Sequence, residues 1–360
     1  MYREQQSGRV FEIRVSSLHA RQSPDKTPVA NANSLLHQIS IRCHTLVEHQ
    51  YSLLNRKILP QLAKNGIRLL SHNDRNEAQR AWVKSYFENQ IRPLLTPIVL
   101  DPAHPFPQVA NKSLNFIISL AGKDAFGRGS AIAIVKAPRI LPRVIKLPDE
   151  LSEDGITFCL LSSVIHAHIS DLFPEREVIA YSQFRVTRDS DLWVDEEEVK
   201  NLRQALKISL QNRHFGVAVR LEVAKNCPED LARFLLNEFN LDEDYLYRVN
   251  GPVNMVRLAE ICNFVKSPSF YFPPYQASIN PDAENDSDLF GTLKKRDILL
   301  HHPFQTFKTV IDFIRNAAED PDVVVIKQTI YRAGMTSELM EALISAANKG
   351  KEVIVIVELK

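Results

Sequence analysis

The sequence has 360 residues, of which 44 are Lys or Arg, 43 are Asp or Glu and 44% are apolar. This length predicts two or three domains, and the apolar fraction is that of a soluble globular chain, which excludes disordered and fibrous classes. A formal net charge of +1 argues against a broad cationic surface for nucleic acids. The 11 glycines argue against a glycine-rich nucleotide loop.

The first ten residues, MYREQQSGRV, lack the apolar run of a secretory signal. The longest apolar stretches, such as Val353–Val357, are too short to span a membrane. The four cysteines are widely spaced, with no Cys-x-x-Cys pair, which is typical of reduced thiols. We therefore expect a cytoplasmic protein, or one that is peripheral to the inner face of the membrane.

The N-terminal part is predicted to be helical and basic. Residues 1–68 contain ten Lys or Arg and only four Asp or Glu. Apolar residues at three- and fourfold spacing predict an amphipathic helix within Ala30–Leu69, and a second helix is predicted over Asn73–Ile91. The basic excess fits either a solvated helical face or a surface that faces an anion.

The middle of the chain alternates between strand and helix patterns. Leu114–Leu120 and Ser130–Ala137 predict a hairpin, and their connection fails as a phosphate loop because Arg128-Gly129 stands where Lys-Ser/Thr is needed. The remaining elements are strands at Phe184–Thr187, Val217–Val223 and Tyr245–Val249, and helices at Asp195–Leu210 and Pro228–Phe239. This alternation predicts an α/β or α+β domain.

A new unit is predicted after a Pro-, Ser- and Asn-rich connection at 266–290. It contains a helix at Pro303–Ala318, a strand at Val323–Ile330, a helix at Thr336–Asn348 and a strand at Val353–Leu359. Strand, helix and strand in this order predict one right-handed parallel βαβ unit. Because parallel sheets are normally covered on both faces, we expect this sheet to be unfinished.

Ligands of open α/β sheets gather at the carboxyl ends of the strands, which directs attention to Arg332 and Glu358. The planar guanidinium of Arg332 matches two phosphate oxygens at once, although a surface arginine bonded to a carboxylate or carbonyl has the same pattern. Lys327, within the strand, is expected either to line the same site or to pair with an acid. Glu358 is expected to orient a basic group or to be an ordinary ion-pair member.

The 11 histidines do not form a metal motif. His166 and His168 are two residues apart, and such residues do not face each other on a helix. His301-His302 is interpreted as the turn before a helix, with a basic role near phosphate as the alternative.

Three stretches, in this order, resemble bacterial polyphosphate kinase of the large, histidine-phosphorylated type. They are PLLTPIVLDPAHPFPQVANKSLNF (93–116), FRVTRDSDLWVDEEE (184–198) with FGVAVRLEV (215–223) and YRVNGPVN (247–254), and RDILLHHPFQTF (296–307) with IKQTIYR (326–332) and VIVIVELK (353–360). The resemblance covers roughly residues 11–360.

The resemblance implies a multidomain α/β fold. Its parts would be a partial N-terminal helical domain at residues 1–69, a central α/β domain at 70–285, and the start of a phospholipase-D-like α/β domain at 286–360. It implies reversible transfer of the terminal phosphate of ATP to inorganic polyphosphate through a phosphohistidine, with Mg²⁺ assisting. The implied partners are polyphosphate and ATP/ADP, without nucleic acid, in a homo-oligomer formed through the helical and central domains.

Arg332 matches the family arginine that is associated with the magnesium–phosphate site. An arginine has no lone pair for a metal, so we expect it to bind phosphate oxygens that the metal also holds. The resemblance implies that the sequence is truncated at both ends, with the phosphorylated histidine and its partner lysine beyond Lys360. At the other end, Gln6–Val10 replaces an Asn-Leu-Asp-Glu-Phe segment whose Asn contacts the nucleotide, so adenine recognition is not expected to be intact.

The chain alone is therefore expected to be inactive. The alternative is a non-enzymatic module for polyphosphate binding or dimerisation. Arg185, Arg188 and Arg220 alternate with apolar residues and either line a polyanion path or form structural ion pairs. Another phospholipase-D-like phosphodiesterase would need its own His-x-Lys motif, and no histidine in the sequence is followed two residues later by lysine.

Overall fold

The chain folds into two compact units, which meet in sequence between Lys266 and Ser267. We refer to them as the first and the second unit. The computed structural model describes residues 12–18, 32–101, 105–121, 132–152, 155–189, 216–281, 289–330 and 337–357. Helices and strands alternate in both, which confirms the mixed α/β class. Within the described residues, no helix is both long and apolar enough to cross a membrane.

A long N-terminal helix dominates the start of the first unit. The helices of this unit are α1 (12–18), α2 (Ala32–Leu53), α3 (Leu59–Lys64), α4 (Glu77–Tyr86), α5 (Leu161–Ala167) and α6 (Glu229–Phe239). A π-helical turn, Leu54–Ile58, joins α2 to α3. The predicted helix is wrong beyond Lys64: Gly66 turns the chain with a φ of 75°, and Ile67–Leu70 is a strand.

The second predicted helix begins later than its pattern suggests. The carbonyl of the Asn76 side chain accepts a hydrogen bond from the Gln79 backbone N–H, and the Gln79 side chain accepts one from the Asn76 N–H. This reciprocal capping box sets the start of α4 at Glu77 rather than at Asn73. A second π-helical turn follows at Phe87–Ile91. The helix predicted at Pro228–Phe239 is confirmed as α6.

The main sheet of the first unit has the strand order β2-β4-β3-β7-β8-β9 within the described residues. Its strands are β2 (Pro97–Val99), β3 (Asn115–Leu120), β4 (Ile132–Lys136), β7 (Val178–Arg188), β8 (Ala218–Ala224) and β9 (Leu246–Val249). The antiparallel pairing of β3 with β4 confirms the predicted hairpin strands, and β8 with β9 is a parallel pair. The three strands predicted between residues 181 and 250 are confirmed as β7, β8 and β9. The helix predicted at 195–210 and the hairpin connection lie outside the described residues.

A smaller sheet, of order β1-β6-β5, completes the first unit. Its strands are β1 (Ile67–Leu70), β5 (Val144–Lys146) and β6 (Ile156–Leu160). The strands β1 and β6 are parallel, so their carboxyl ends lie at the same edge. Helix α5 follows β6 directly, and its buried residues Leu161, Val164 and Ile165 join the same core as Phe87 and Phe116.

Two apolar layers lie on opposite faces of the main sheet. On one face, Phe184, Val186 and Leu221 pack against α6 through residues such as Leu235 and Phe239. Side chains alternate along a strand, so Arg185 and Thr187 point to the other face. That face is covered by α2, whose Leu36 and Ile39 line a pocket together with Arg185.

The second unit contains the predicted βαβ arrangement. Its elements are α7 (Leu289–Leu293), α8 (Lys308–Glu319), β10 (Val325–Ile330), α9 (Glu338–Asn348) and β11 (Glu352–Val357). Strands β10 and β11 pair in parallel, which confirms the sequence prediction. Helix α8 begins later than the predicted Pro303, because His301 and His302 hydrogen-bond within a turn to the side chain and carbonyl of Gln305.

Candidate functional site

The carboxyl ends of β10 and β11 form the edge where the sequence predicts a phosphate site. Lys327 lies on β10, beside Ile354 of β11, and its side chain is exposed. It precedes Ile330, the last residue of β10, by three positions, which is about 10 Å along a strand. Arg332 and Glu358 lie outside the described residues. The structure therefore describes only the lysine of this predicted group.

Lys327 occupies the face of the β10–β11 sheet that is opposite to α8 and α9. Ile326 and Ile330 pack into the core with those helices, so the alternate residues point away from them. Val325, Ile354 and Ile356 on this opposite face are 39%, 43% and 65% exposed. Lys327 is thus a cation set into an apolar surface.

A buried carboxylate joins two of the predicted arginines on the main sheet. Glu222 of β8 is only 4% exposed. Its Oε2 lies 2.5 Å from Arg185 Nε on β7, and its Oε1 accepts a 2.7 Å hydrogen bond from Arg220 Nη2 on the same strand. The register places Arg185 directly opposite Glu222. These three side chains form a cluster with a net charge of +1, which we call the Arg–Glu cluster.

Aromatic rings extend the Arg–Glu cluster towards α2. The guanidinium carbon of Arg220 lies 4.0 Å from the centroid of the Tyr247 ring, and His44 of α2 stacks on the same ring at 4.1 Å. Burial, which outweighs the opposing charge of Arg220, raises the pKa of Tyr247 to about 12. A cavity of about 220 Å³ lies beside these groups and is lined by both arginines and Tyr247.

Sequence reasoning missed Glu222 and Tyr247. The alternation Arg-Leu-Glu within β8 is visible in the sequence and indicates that Arg220 and Glu222 share a face. The partner on β7 cannot be read from the sequence, because the register between two strands separated by 29 residues depends on the whole sheet.

Arg188 does not join the Arg–Glu cluster. Its Nε donates to the carbonyl of Val109 at 3.0 Å, and its Nη1 donates to that of Gly216 at 2.8 Å. The guanidinium lies 5.4 Å from the Phe239 ring, on the face of the sheet that packs against α6. Arg185, Arg188 and Arg220 therefore do not line one continuous path, because Arg188 is on the opposite face.

Removing the carboxylate of Glu222 should destabilise the first unit. In Glu222→Gln, two largely buried guanidinium groups lose their counter-charge, so we expect a loss of about 3 kcal/mol in the free energy of unfolding. Trp82 lies on α4 of the first unit, and the other tryptophan, Trp193, also precedes Lys266 in the sequence, so urea unfolding followed by tryptophan fluorescence reports on this unit.

The matched control is Asp149→Asn, which breaks the Lys146–Asp149 ion pair, where Asp149 is 75% exposed. This substitution should lower the free energy of unfolding by no more than about 0.5 kcal/mol. The double variant Glu222→Gln/Arg220→Gln should lose less stability than the sum of the two single changes. Equal losses for Glu222→Gln and Asp149→Asn would contradict a cluster that depends on its buried charge.

The two closely spaced histidines, His166 and His168, have separate environments. His168 Nδ1 lies 2.9 Å from Asp171 Oδ2, and its ring stacks on Phe87. The His166 ring lies instead 4.4 Å from that of His72 and 4.8 Å from that of Tyr181. Burial first, and then the nearby His72 and Arg75, lower the pKa of His166 to about 4.

The lowered pKa of His166 predicts a loss of stability in mild acid. An unfolded histidine binds its proton below a pH of about 6.5, whereas the folded His166 does so only below about 4. The unfolded state therefore binds more protons in this window, and stability falls as the pH drops from about 6.5 to about 4. Because the side chain is only partly buried, solvent screens its charge, and we expect His166 to contribute about 1–2 kcal/mol to this loss of stability.

Replacing His166 by Phe should remove this pH-dependent contribution to the free energy of unfolding, while the phenyl ring keeps the contacts with His72 and Tyr181. Urea unfolding at several pH values between 4 and 7 measures the difference. The exposed His49→Phe serves as the control and should keep the pH profile of the unchanged chain. A profile that His166→Phe leaves unaltered would show that His166 is not held neutral by the fold.

Three family models match the chain in succession. They are described as the polyphosphate kinase N-terminal domain (residues 5–70), the polyphosphate kinase middle domain (residues 78–261) and the polyphosphate kinase C-terminal domain 1 (residues 288–360). The Arg–Glu cluster lies within the middle-domain match, and Lys327 lies within the C-terminal match.

Curated relatives match the chain along almost its entire length. A polyphosphate kinase of Pseudomonas aeruginosa is 46% identical over 355 residues, which cover 97% of this chain and 51% of that protein. A polyphosphate kinase of Neisseria gonorrhoeae is also 46% identical over 355 residues, covering 97% of this chain and 52% of that protein. The chain thus spans about half the length of the curated relatives that it matches.

A solved structure supports the fold. The crystal structure of polyphosphate kinase from Porphyromonas gingivalis aligns with a TM-score of 0.73 and 24% sequence identity, over 99% of this chain and 50% of that one. At this identity the likeness concerns the fold alone. Together with the three matched domains and the 46% identity to curated relatives, it leads to one conclusion: this chain belongs to the polyphosphate kinase family.

Proposed function

We propose that this chain takes part in the reversible transfer of the terminal phosphate of ATP to inorganic polyphosphate. The observation that carries the proposal is the 46% identity, over 97% of the chain, to proteins named polyphosphate kinase. Three consecutive domain matches of the same family support it.

We assign phosphate binding to the carboxyl edge of β10 and β11. Arg332 stands two residues after Ile330, the last residue of β10, where loops of parallel sheets commonly hold ligands. Its guanidinium would bind phosphate oxygens two at a time. Lys327 would add a second positive charge from the exposed face of the same strand.

The described residues contain no group of three or more His, Cys, Asp or Glu side chains that could hold a metal ion. They therefore do not fit an all-protein magnesium cage, and we assign no step to the ion. In phosphoryl-transfer sites magnesium is bound largely by substrate phosphates, which agrees with an Arg332 that binds oxygens shared with the metal.

We further propose that residues 1–360 alone do not complete the transfer. In the family resemblance the phosphate passes through a histidine of a His-x-Lys motif, and none of the 11 histidines in this sequence precedes a lysine at that spacing. Phosphoryl transfer needs a positioned nucleophile as well as charge neutralisation. Binding of polyphosphate does not need the nucleophile.

The Arg–Glu cluster supports a second candidate function, a polyphosphate-binding or dimerising module. Arg185 and Arg220 line a cavity of about 220 Å³ and keep a net charge of +1 together with Glu222. A polyanion at this cavity would meet both guanidinium groups. The homo-oligomer expected from the resemblance would be formed by the same helical and central regions.

Two measurements on purified residues 1–360 test these proposals. With ATP, polyphosphate and magnesium present, we expect no ADP formation above the blank. Polyphosphate should still bind, and Arg332→Gln should weaken this binding about tenfold, because one charge-assisted contact of about 1.5 kcal/mol or more is lost.

Arg315→Gln is the matched control, since Arg315 is half-exposed in the second unit and pairs with Glu338. Its polyphosphate affinity should equal that of the unchanged chain. Measurable ADP formation would contradict the proposed inactivity of this chain alone. If polyphosphate binding is lost in Arg220→Gln but kept in Arg332→Gln, the result would favour a polyphosphate site at the Arg–Glu cluster over one at the carboxyl edge of β10 and β11.

A further inference from the structure

The carboxyl ends of two parallel strand pairs meet at one cleft in the first unit. Strands β1 and β6 belong to the small sheet, and β8 and β9 belong to the main sheet. The residues that follow these strands line a cleft of about 730 Å³: Ser71 and His72, Ser162 and Ser163, Lys225 and Asn226, and Asn250 and Gly251. This volume suits a small organic ligand, and the ends of parallel strands are where α/β proteins hold such ligands.

The wall of the cleft is fixed by the π-helical turn after α2. Leu54 and Asn55 of this turn line the cleft. The Asn55 side chain donates to the carbonyl of Asn250 at 2.8 Å, which holds the loop after β9 in place. Single π-helical turns inside α-helices occur frequently at functional sites. A hydrogen bond thus ties this wall of the cleft to the loop after β9.

One end of the cleft presents aromatic rings and neutral hydrogen-bonding groups. The His72 and His166 rings lie 4.4 Å apart. Burial is the main cause that lowers the pKa of both side chains, so each imidazole is neutral at pH 7 and offers one donor and one acceptor. Gln183, which also lines the cleft, has a buried Oε1 without a hydrogen-bond partner among the described residues.

The other end of the cleft is cationic. A neighbouring pocket of about 270 Å³ shares Asn55, Lys225 and Asn250 with the cleft and is also lined by Arg56 and by one carboxylate, Glu48, so that cations outnumber acids in it. Lys225 and Arg56 are exposed and form no ion pair within the part of the chain that the structure describes. These two cations are available for an anionic group.

We propose that this cleft binds a nucleotide, with its planar base against the rings of His72 and His166 and its phosphates at Lys225 and Arg56. Neutral imidazoles stack on a base and hydrogen-bond to its edge, which a bare phosphate chain would not use. All the lining residues precede Lys266, so nucleotide binding here does not require the proposed transfer reaction.

Calorimetric titration of the full 360-residue chain with ATP and, separately, with inorganic tripolyphosphate tests the two ends of the cleft. His72→Ala should raise the Kd for ATP about tenfold and leave that for tripolyphosphate unchanged, because only ATP has a base to stack. Lys225→Glu should raise both Kd values about tenfold or more. If Lys225→Glu does not fold, as judged by near-ultraviolet circular dichroism, Arg56→Glu replaces it.

Two controls carry the same substitutions outside the cleft. His49→Ala and Lys84→Glu change exposed side chains that line neither pocket, and both should keep the affinity of the unchanged chain. Hydrogen exchange gives the location: ATP should slow exchange of amides in residues 69–72 and 162–166.

Three results would overturn the proposal. The first is ATP affinity that His72→Ala and Lys225→Glu leave within twofold of the unchanged chain. The second is an equal loss of ATP and tripolyphosphate affinity in His72→Ala, which would make the cleft a site for anions without a base. The third is the absence of ATP protection in residues 69–72 and 162–166.

Discussion

The hydrogen bond from Tyr51 to the carbonyl of Pro252 fastens the long helix α2 to the loop that follows β9 of the main sheet. The hydroxyl donates at 2.6 Å, and the side chain is only 5% exposed. Burial is the main cause that raises the pKa of Tyr51, which keeps the hydroxyl protonated as a donor. The ring lies so close to Gly251 that an added Cβ would approach it to 3.1 Å, and Gly251 has a φ of 157°. The contact between α2 and this loop therefore depends on both Tyr51 and Gly251.

Further polar contacts hold the same helix along its length. Ser40 donates to the carbonyl of Asp244 at 2.7 Å, and His37 contacts the Asp244 carboxylate at 2.9 Å. Together with Tyr51 and Asn55, these residues follow a helical spacing and lie on one side of α2 and its π-helical turn. The helix thus closes the cavity beside the Arg–Glu cluster with Leu36 and Cys43, and it closes the proposed nucleotide cleft with Leu54 and Asn55.

The sequence predicts individual helices and strands better than it predicts which of them pair or pack together. Period-two and period-3.6 patterns identify β8 and α6, because each of these buries one face in a core. The strands β3 and β4 are identified instead as continuous apolar runs, because both of their faces are buried. Strand β1 is missed, since it is only four residues long, with three apolar side chains and Arg68, and only Gly66 marks the change from the preceding helix. A short apolar run of this kind is compatible with either structure until its partner, β6, is known.

In the candidate sites too, the sequence identifies single residues but not the residues that they contact. Single residues such as Arg185, Arg220 and Lys327 stand out in the sequence, but the pairing of Arg185 with Glu222 depends on the register between β7 and β8. The nucleotide cleft depends on contacts between segments more than a hundred residues apart, and no local pattern signals it. The family itself is recognised from motifs in a fixed order, because such motifs can be read from the sequence without knowing which side chains meet in the fold.

Hydrogen exchange of the native protein tests most directly whether α2 and the main sheet form one cooperative unit fastened at Tyr51. In the unchanged chain, the slowest amides of α2 should open with the same free energy as those of β7 and β8. Tyr51→Phe should lower both values together by about 1–2 kcal/mol, since the buried carbonyl of Pro252 loses its donor. Opening of α2 at a lower free energy than the strands, with Tyr51→Phe affecting α2 alone, would contradict this account.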